Sequence, residues 1–382
     1  MNFTFTGELA FNGLETEHPF LREGTTKGKN GKSGKSYKSL NLIVIAAKNN
    51  RGYAEIFGMK NESISTKSST GEAIEIDWAD RLDEDVIKTV DSMRKFTISD
   101  GDERHEFITE FDLITYIAEH VDDLSGRRAI VSGSVGKNEY NGKVTNRFTF
   151  RRITLLDDED DRKNSLRVKG IMFFNKEGID IADWASEKKI NISAYTHEYV
   201  GKDDNGDAKY AYYEQPILFD ASKVDFENEK HVKMLKFRLR QLGLEFVDEN
   251  KVKIAIKKGW ISQNLILAYA NGAEAVELTY DELTETQKEM VDLGMKEVKD
   301  FAPKGGSFGE RKVIYKAVDF DLVGDYQDGF ITCDTDTCEE IEENIYVPVP
   351  VTESADELEE EVEEKPKKSN KPVEEDDEDI FS

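Results

Sequence analysis

Cysteine is scarce in this chain of 382 residues: Cys333 and Cys338 are the only two. No histidine lies near them, so neither a disulfide framework nor a zinc site has enough partners, and both are expected to be free thiols. No apolar run approaches the ~18 residues of a membrane span. Met1 to Ala10 alternates polar and apolar residues and builds no basic-then-apolar leader, so a cytoplasmic location without membrane contact is expected. His18, His105, His120, His197 and His231 stand singly, without a His-Glu-x-x-His run or a Gly-x-Ser-x-Gly elbow. The acidic stretch Asp77 to Asp91 lacks the spacing of a calcium loop. No enzyme activity, cofactor or metal is expected.

Two local patterns come close to known chemistry and fail. Gly34-Lys35-Ser36 and Gly31-Lys32-Ser33 look like the end of a phosphate-binding loop, which needs a glycine five residues earlier. Those positions hold Lys29 and Thr26, and an apolar strand follows where a helix should open. Asp334-Thr335-Asp336-Thr337 is similar to the aspartate pair of haloacid dehalogenase-type phosphatases, but too little chain follows to build a domain around it.

Positive charge is also short, with 52 Lys and Arg against 79 Asp and Glu and a net charge of −27. On average that repels nucleic acid. The distribution is uneven, however. Cys333 to Ser382 holds 20 acids and 4 bases, a balance of −16. Met1 to Lys60 with Leu124 to Leu156 holds 16 bases and 6 acids, a balance of +10, while Asn61 to Asp123 holds 6 bases and 18 acids, a balance of −12. A basic module is interrupted by an acidic insertion, and a concentrated positive face can bind phosphates inside an acidic chain.

Alternation predicts strands at 2–9, 40–47, 53–57, 128–135 and 145–155, with a turn at Asn50-Arg51-Gly52 and a hairpin loop at Asn141-Gly142. The insertion at 61–123 is expected to be helical, around Val86 and from Glu110 to Val121. Five short strands with a helical excursion between the third and fourth is the order of an OB barrel. The pattern restarts from Leu166, with strands at 166–174, 189–199 and 210–219, helices at 229–242 and 280–301, and a closing strand at 312–322. The expected fold class is mainly β with helical insertions (α+β): tandem OB-fold-like barrels at 1–156 and 165–330, a solvated linker at 157–164, and a disordered acidic tail at 331–382.

The richest basic stretch, Lys27 to Lys38, offers Lys32, Lys35 and Lys38 for phosphates and Tyr37 for base stacking. Arg51 and Tyr53 follow on the next hairpin. In the basic hairpin Lys137 to Arg152, alternation puts Arg147, Thr149 and Arg151 on one face and Phe148, Phe150 and Arg152 on the other. The phenylalanines are expected in the core, and Tyr140, Lys143, Arg147 and Arg151 against nucleic acid. Tyr195, His197, Tyr199, Tyr210 and Tyr212 alternate similarly, either as a stacking surface or as ordinary cross-strand aromatic pairs. Lys253, Lys257, Lys258 and Trp260 form a further basic cluster or a guarded strand edge.

The chain ends in Asp376, Asp377, Glu378, Asp379, Ile380, Phe381 and Ser382, preceded by two more acids. A run of like charges stays extended, and an apolar pair at its end suits a pocket on another protein. With this tail and the Lys365-Pro366 to Lys371-Pro372 linker, the chain resembles single-stranded DNA-binding proteins of the OB-fold, acidic-tail kind, and its length, tandem arrangement and insertion look more like a bacteriophage type. It departs from the bacterial pattern: no proline separates Ile380 from Phe381, and Ser382 displaces the terminal carboxylate. The resemblance implies sequence-independent coating of single-stranded DNA during replication, recombination and repair, in the host cytoplasm if phage-encoded. It also implies that the tail recruits replication or recombination proteins. The competing expectation is an acidic interaction module that mimics DNA and captures a DNA-processing enzyme.

Overall fold

The computed structural model describes residues 1–11, 20–26, 34–140, 142–202, 206–272, 284–293, 296 and 312–348. Lys32, the 280–283, 294–295 and 297–301 parts of the expected helix and the tip from Asp376 to Phe381 lie outside these residues, as does the side chain of Tyr140. No described helix is long and apolar enough to cross a membrane.

The structure is mainly β with helices. The first half contains β1 (Asn2–Ala10), β2 (Leu21–Thr25), β3 (Ser36–Ala47), β4 (Asn50–Met59), β5 (Ser63–Lys67), β6 (Ala73–Asp77), α1 (Glu84–Thr89), β7 (Phe96–Asp100), β8 (Glu103–Phe107), α2 (Glu110–Glu119), α3 (Val121–Leu124), β9 (Arg128–Tyr140) and β10 (Lys143–Leu155). β1 pairs with β3, β3 with β4, β4 in parallel with β10, β10 with β9, and β9 again with β1, so the pairing returns to its start. Strict alternation drives this ring. Leu40, Leu42 and Val44 on β3 and Ala54 and Ile56 on β4 point inward, where they meet Phe3, Phe5, Val131, Phe148 and Phe150. Gly52 is required where it stands, because a Cβ would sit 2.5 Å from the Phe5 ring. Gly58 lets the start of α2 close on β4, since a Cβ there would meet the Phe111 nitrogen.

The second half contains β11 (Ser165–Asn175), β12 (Ile179–Asp180), α4 (Trp184–Glu187), β13 (Lys189–Lys202), β14 (Ala208–Asp220), α5 (Glu229–Gln241), β15 (Leu244–Asp248), β16 (Lys251–Ile254), β17 (Trp260–Gly272), α6 (Glu285–Asp292), β18 (Lys312–Phe320), β19 (Ile331–Thr332) and α7 (Thr335–Glu343). The same ring recurs: β11 pairs with β13, β13 with β14, β14 in parallel with β18, β18 with β17, and β17 with β11. The two rings are joined through β1 and β11, in register from Asn2 opposite Lys169 to Thr6 opposite Ser165. One buried cluster runs through both, and the Phe5 and Tyr269 rings stack across the joint at 5.7 Å.

Four expectations change. The first turn is Lys48-Asn49, because Ala47 pairs with Asn50, which moves Arg51 from the turn onto β4. The insertion is not simply helical. Ile64, Ile74 and Ile76 alternate along a hairpin of β5 and β6, and β7 joins the main sheet beside β10. The expected faces of β10 hold only as far as Phe150, where a bulge shifts the register and turns Arg152 away from the phenylalanine side. Residues 331–348 are folded rather than an extended tail. Asp334 caps α7 by accepting from the Thr337 nitrogen, and Ile341 is fully buried against Tyr212 and Trp260.

Candidate nucleic-acid interface

Because side chains alternate, the residues of β3 and β4 that do not enter the core form a continuous outer face. Across the hairpin Tyr37 lies opposite Met59, Ser39 opposite Phe57, Asn41 opposite Glu55, Ile43 opposite Tyr53 and Ile45 opposite Arg51. At one end of this face is a cleft of about 530 Å³. Phe20 and Arg22 line it from the segment between β1 and β3, Asn41, Tyr53 and Glu55 from the strands, and Asn138, Asn146 and Arg147 from the β9–β10 hairpin. Tyr269 and Asn271 of the second ring complete it.

The lining offers two cations, Arg22 and Arg147, with amide groups around them and aromatic faces. Arg147 is ion-paired with Glu55. Both groups are well exposed, and such pairs contribute only about 0–1 kcal/mol, so a phosphate can displace the carboxylate. Asn146 is fixed from behind: its side-chain NH2 donates to Gln215 at 2.8 Å and to the Tyr315 hydroxyl at 2.5 Å. Burial raises the Tyr315 phenol to about 12 and also raises that of Tyr269, so both remain neutral. Lys137 extends the same joint by donating to Gln215 at 3.2 Å, and burial lowers it to about 8.

Of the residues expected from the sequence, the cleft brings together Tyr53 and Arg147, with exposed Arg51 two residues along the same strand face. Tyr37 stands further along and stacks on Phe57 with ring centres 5.5 Å apart; Phe57 is 40% exposed. Lys35 donates to Asn61 at 2.7 Å, and Lys143 is exposed at the hairpin end. Lys38 points to the other side, where Glu23 pairs with it at 2.9 Å and the Phe111 ring lies beneath it. Arg151 lies apart from the cleft, over the Phe96 ring. Arg22, Asn41, Asn138, Asn146 and Asn271 escaped the sequence reading. Asn41 was accessible to it, as a polar residue alternating with Leu40 and Leu42.

The corresponding face of the second ring, on β13 and β14, carries Tyr195, His197, Tyr199 and Tyr210 as expected; His197, Tyr199 and Tyr210 are exposed, and the cover lies at Tyr212 and Trp260. His197 lies 4.3 Å from the Tyr210 ring and 4.8 Å from that of Tyr212. The segment 333–346 runs over Tyr212 and reaches His197 through Glu340, 3.8 Å away. The Tyr212 hydroxyl donates to Glu340 at 3.3 Å, and the Trp260 indole donates to Glu342 at 3.2 Å. Backbone bonds at 2.9 Å link Tyr212 to Asn344 and Tyr346. Burial lowers the pKa of His197 against the opposing pull of Glu340.

No protein-family model and no curated protein matches this chain. Among solved structures it is similar to a deletion mutant of the single-stranded DNA-binding protein from Thermus aquaticus. The identity is 10% over 71% of this chain and 86% of that chain, with a TM-score of 0.24. A likeness at that level decides neither fold nor function.

Proposed function

We propose that this protein binds single-stranded DNA without sequence preference and without catalysis. The observation that carries the reading is the cleft on the outer face of β3 and β4, flanked by the β1–β3 connection and the β9–β10 hairpin. In an OB-fold the second and third strands, with the loops between strands one and two and between four and five, hold oligonucleotides. Both rings follow that strand order, including the parallel closure, and we take each to be an OB-like barrel. Arg147, Arg22 and Arg51 neutralise phosphates, while Tyr53, Phe57 and Tyr37 supply stacking surfaces that accept any base. Coating of exposed strands in replication, recombination and repair follows from that chemistry, and the Asp376 to Phe381 tip recruits replication or recombination proteins. The chain length, the tandem arrangement and the insertion support a bacteriophage type.

A salt titration of binding to fluorescent oligo-dT and to a duplex of equal length tests the reading. Tight single-strand binding that weakens steeply with salt, with weaker duplex binding, is expected. Binding to neither at low salt would overturn it and favour the acidic interaction module that mimics DNA.

A further inference from the structure

The outer face of β4 does not end at the cleft. Phe57 and Met59 continue it, and Met59 lines a second cleft of about 400 Å³ together with Asn61, Arg94, Phe96 and Arg151. From Tyr53 to Met59 is six residues of one strand, a track of about 20 Å. Its far end carries three arginines. The bulge at Phe150/Arg152 aims Arg151 and Arg152 at the turn 91–94 of the insertion. Arg151 lies 4.7 Å over the Phe96 ring and donates to the Met93 carbonyl at 3.1 Å. Arg152 reaches the Ser92 carbonyl at 3.4 Å and the Met93 sulfur at 3.6 Å. Arg94 is exposed beside them.

None of the three makes an ion pair among the described residues, although the insertion around them is strongly acidic. Arg151 is near enough to Arg94 and Arg152 for their repulsion to add to burial in lowering its pKa, with Glu110 the opposing charge. Glu110, which lines the same cleft, is the larger single electrostatic influence on Arg151 and leaves Arg94 and Arg152 without a carboxylate partner among the described residues. Beside them Met93 is 66% exposed and Met59 36%. Unpaired guanidiniums bordered by exposed apolar surface complement a chain of phosphates bearing bases.

We propose that Arg94, Arg151 and Arg152 form a phosphate subsite that receives single-stranded DNA leaving the first cleft past Phe57, so that the acidic insertion lengthens the binding site. The proposal rests on the strand-binding reading above. Its test uses the full chain with Arg94→Ala and Arg152→Ala combined, titrated with salt against oligo-dT of about 6 nucleotides, within the span of one OB site, and about 20, beyond it. Each lost phosphate contact lowers the salt slope on a single strand by about 0.7, so the double variant should lose about 1.4 on the longer oligonucleotide and nothing on the shorter. The charge-retaining pair Arg94→Lys and Arg152→Lys should restore the slope, which separates loss of contact from misfolding. Wild-type slope and affinity for the longer oligonucleotide in the alanine variant would overturn the subsite alone. Wild-type protein that bound neither length would overturn the strand-binding reading and the subsite with it.

Discussion

The two rings share strand order, parallel closure and an aromatic-rich outer face, yet they meet different surroundings. On the first, the face between Tyr53 and Met59 is open and edged by arginines. On the second, Glu340, Ile341 and Glu342 lie over Tyr212 and Trp260 and at the edge of His197, covering one end of the face and leaving Tyr199 and Tyr210 exposed. The strand framework is therefore not what sets them apart. In the first ring the added residues enter between the third and fourth ring strands and leave the face clear, whereas in the second the chain continues past the last ring strand and folds back over it.

The largest expected effect breaks this contrast directly. Ile341→Asp places a charge in the fully buried contact of α7 and should weaken docking of 333–346 by about 3 kcal/mol. Trp260 emission should move to the red, proteolysis after β18 should quicken, and more nucleotides should be occluded per protein. Unchanged emission and protease pattern would mean that the cover does not depend on that contact.

Next, Tyr53→Ala should weaken oligo-dT binding by about 1–3 kcal/mol, the range for one stacked base. Tyr199→Ala, on the second ring, should leave it unchanged. The reverse ranking would exchange the roles of the two rings.

Removing 349–382, which carries 14 acids and 4 bases, takes away −10 of charge. Affinity for oligo-dT should rise several-fold at low salt and converge with wild type at high salt, as screening removes the competition.

The smallest effect probes the joint between the rings. Lys137 falls to about 8 in the folded protein from 10.5, chiefly through burial. Below pH 8 it is charged in both states and the burial penalty is fully present. As pH rises toward 10.5 the folded state releases its proton first, so stability should increase. The difference in Tm between wild type and Lys137→Met should narrow across pH 8 to 9.5, and a constant difference would refute the burial.

Much of the ring framework was legible, because Phe3 and Phe5, Leu40 to Val44, and Phe148 and Phe150 alternate cleanly and their hairpins fix neighbours. Charge obscured other parts. Ile64, Ile74 and Ile76 stand among acids, which hides β5 and β6, and the same acidic insertion hides β7 and β8. Cys338, Ile341 and Ile345 recur at helical spacing, yet the carboxylates between them suggested a solvated tail. The bulge at Phe150/Arg152 has no period to betray it, which is why Arg152 was placed on the wrong side. At the cleft, Tyr53 and Arg147 could be named from charge and alternation, but the asparagines and Tyr269 meet there only through the joint of the rings.

Hydrogen exchange of the full chain with and without oligo-dT tests the central claim most directly, since it reports both faces in one experiment. New protection within 36–59 and 138–148, with 195–213 unchanged, is the predicted result. Protection within 195–213 with 36–59 unchanged would contradict it.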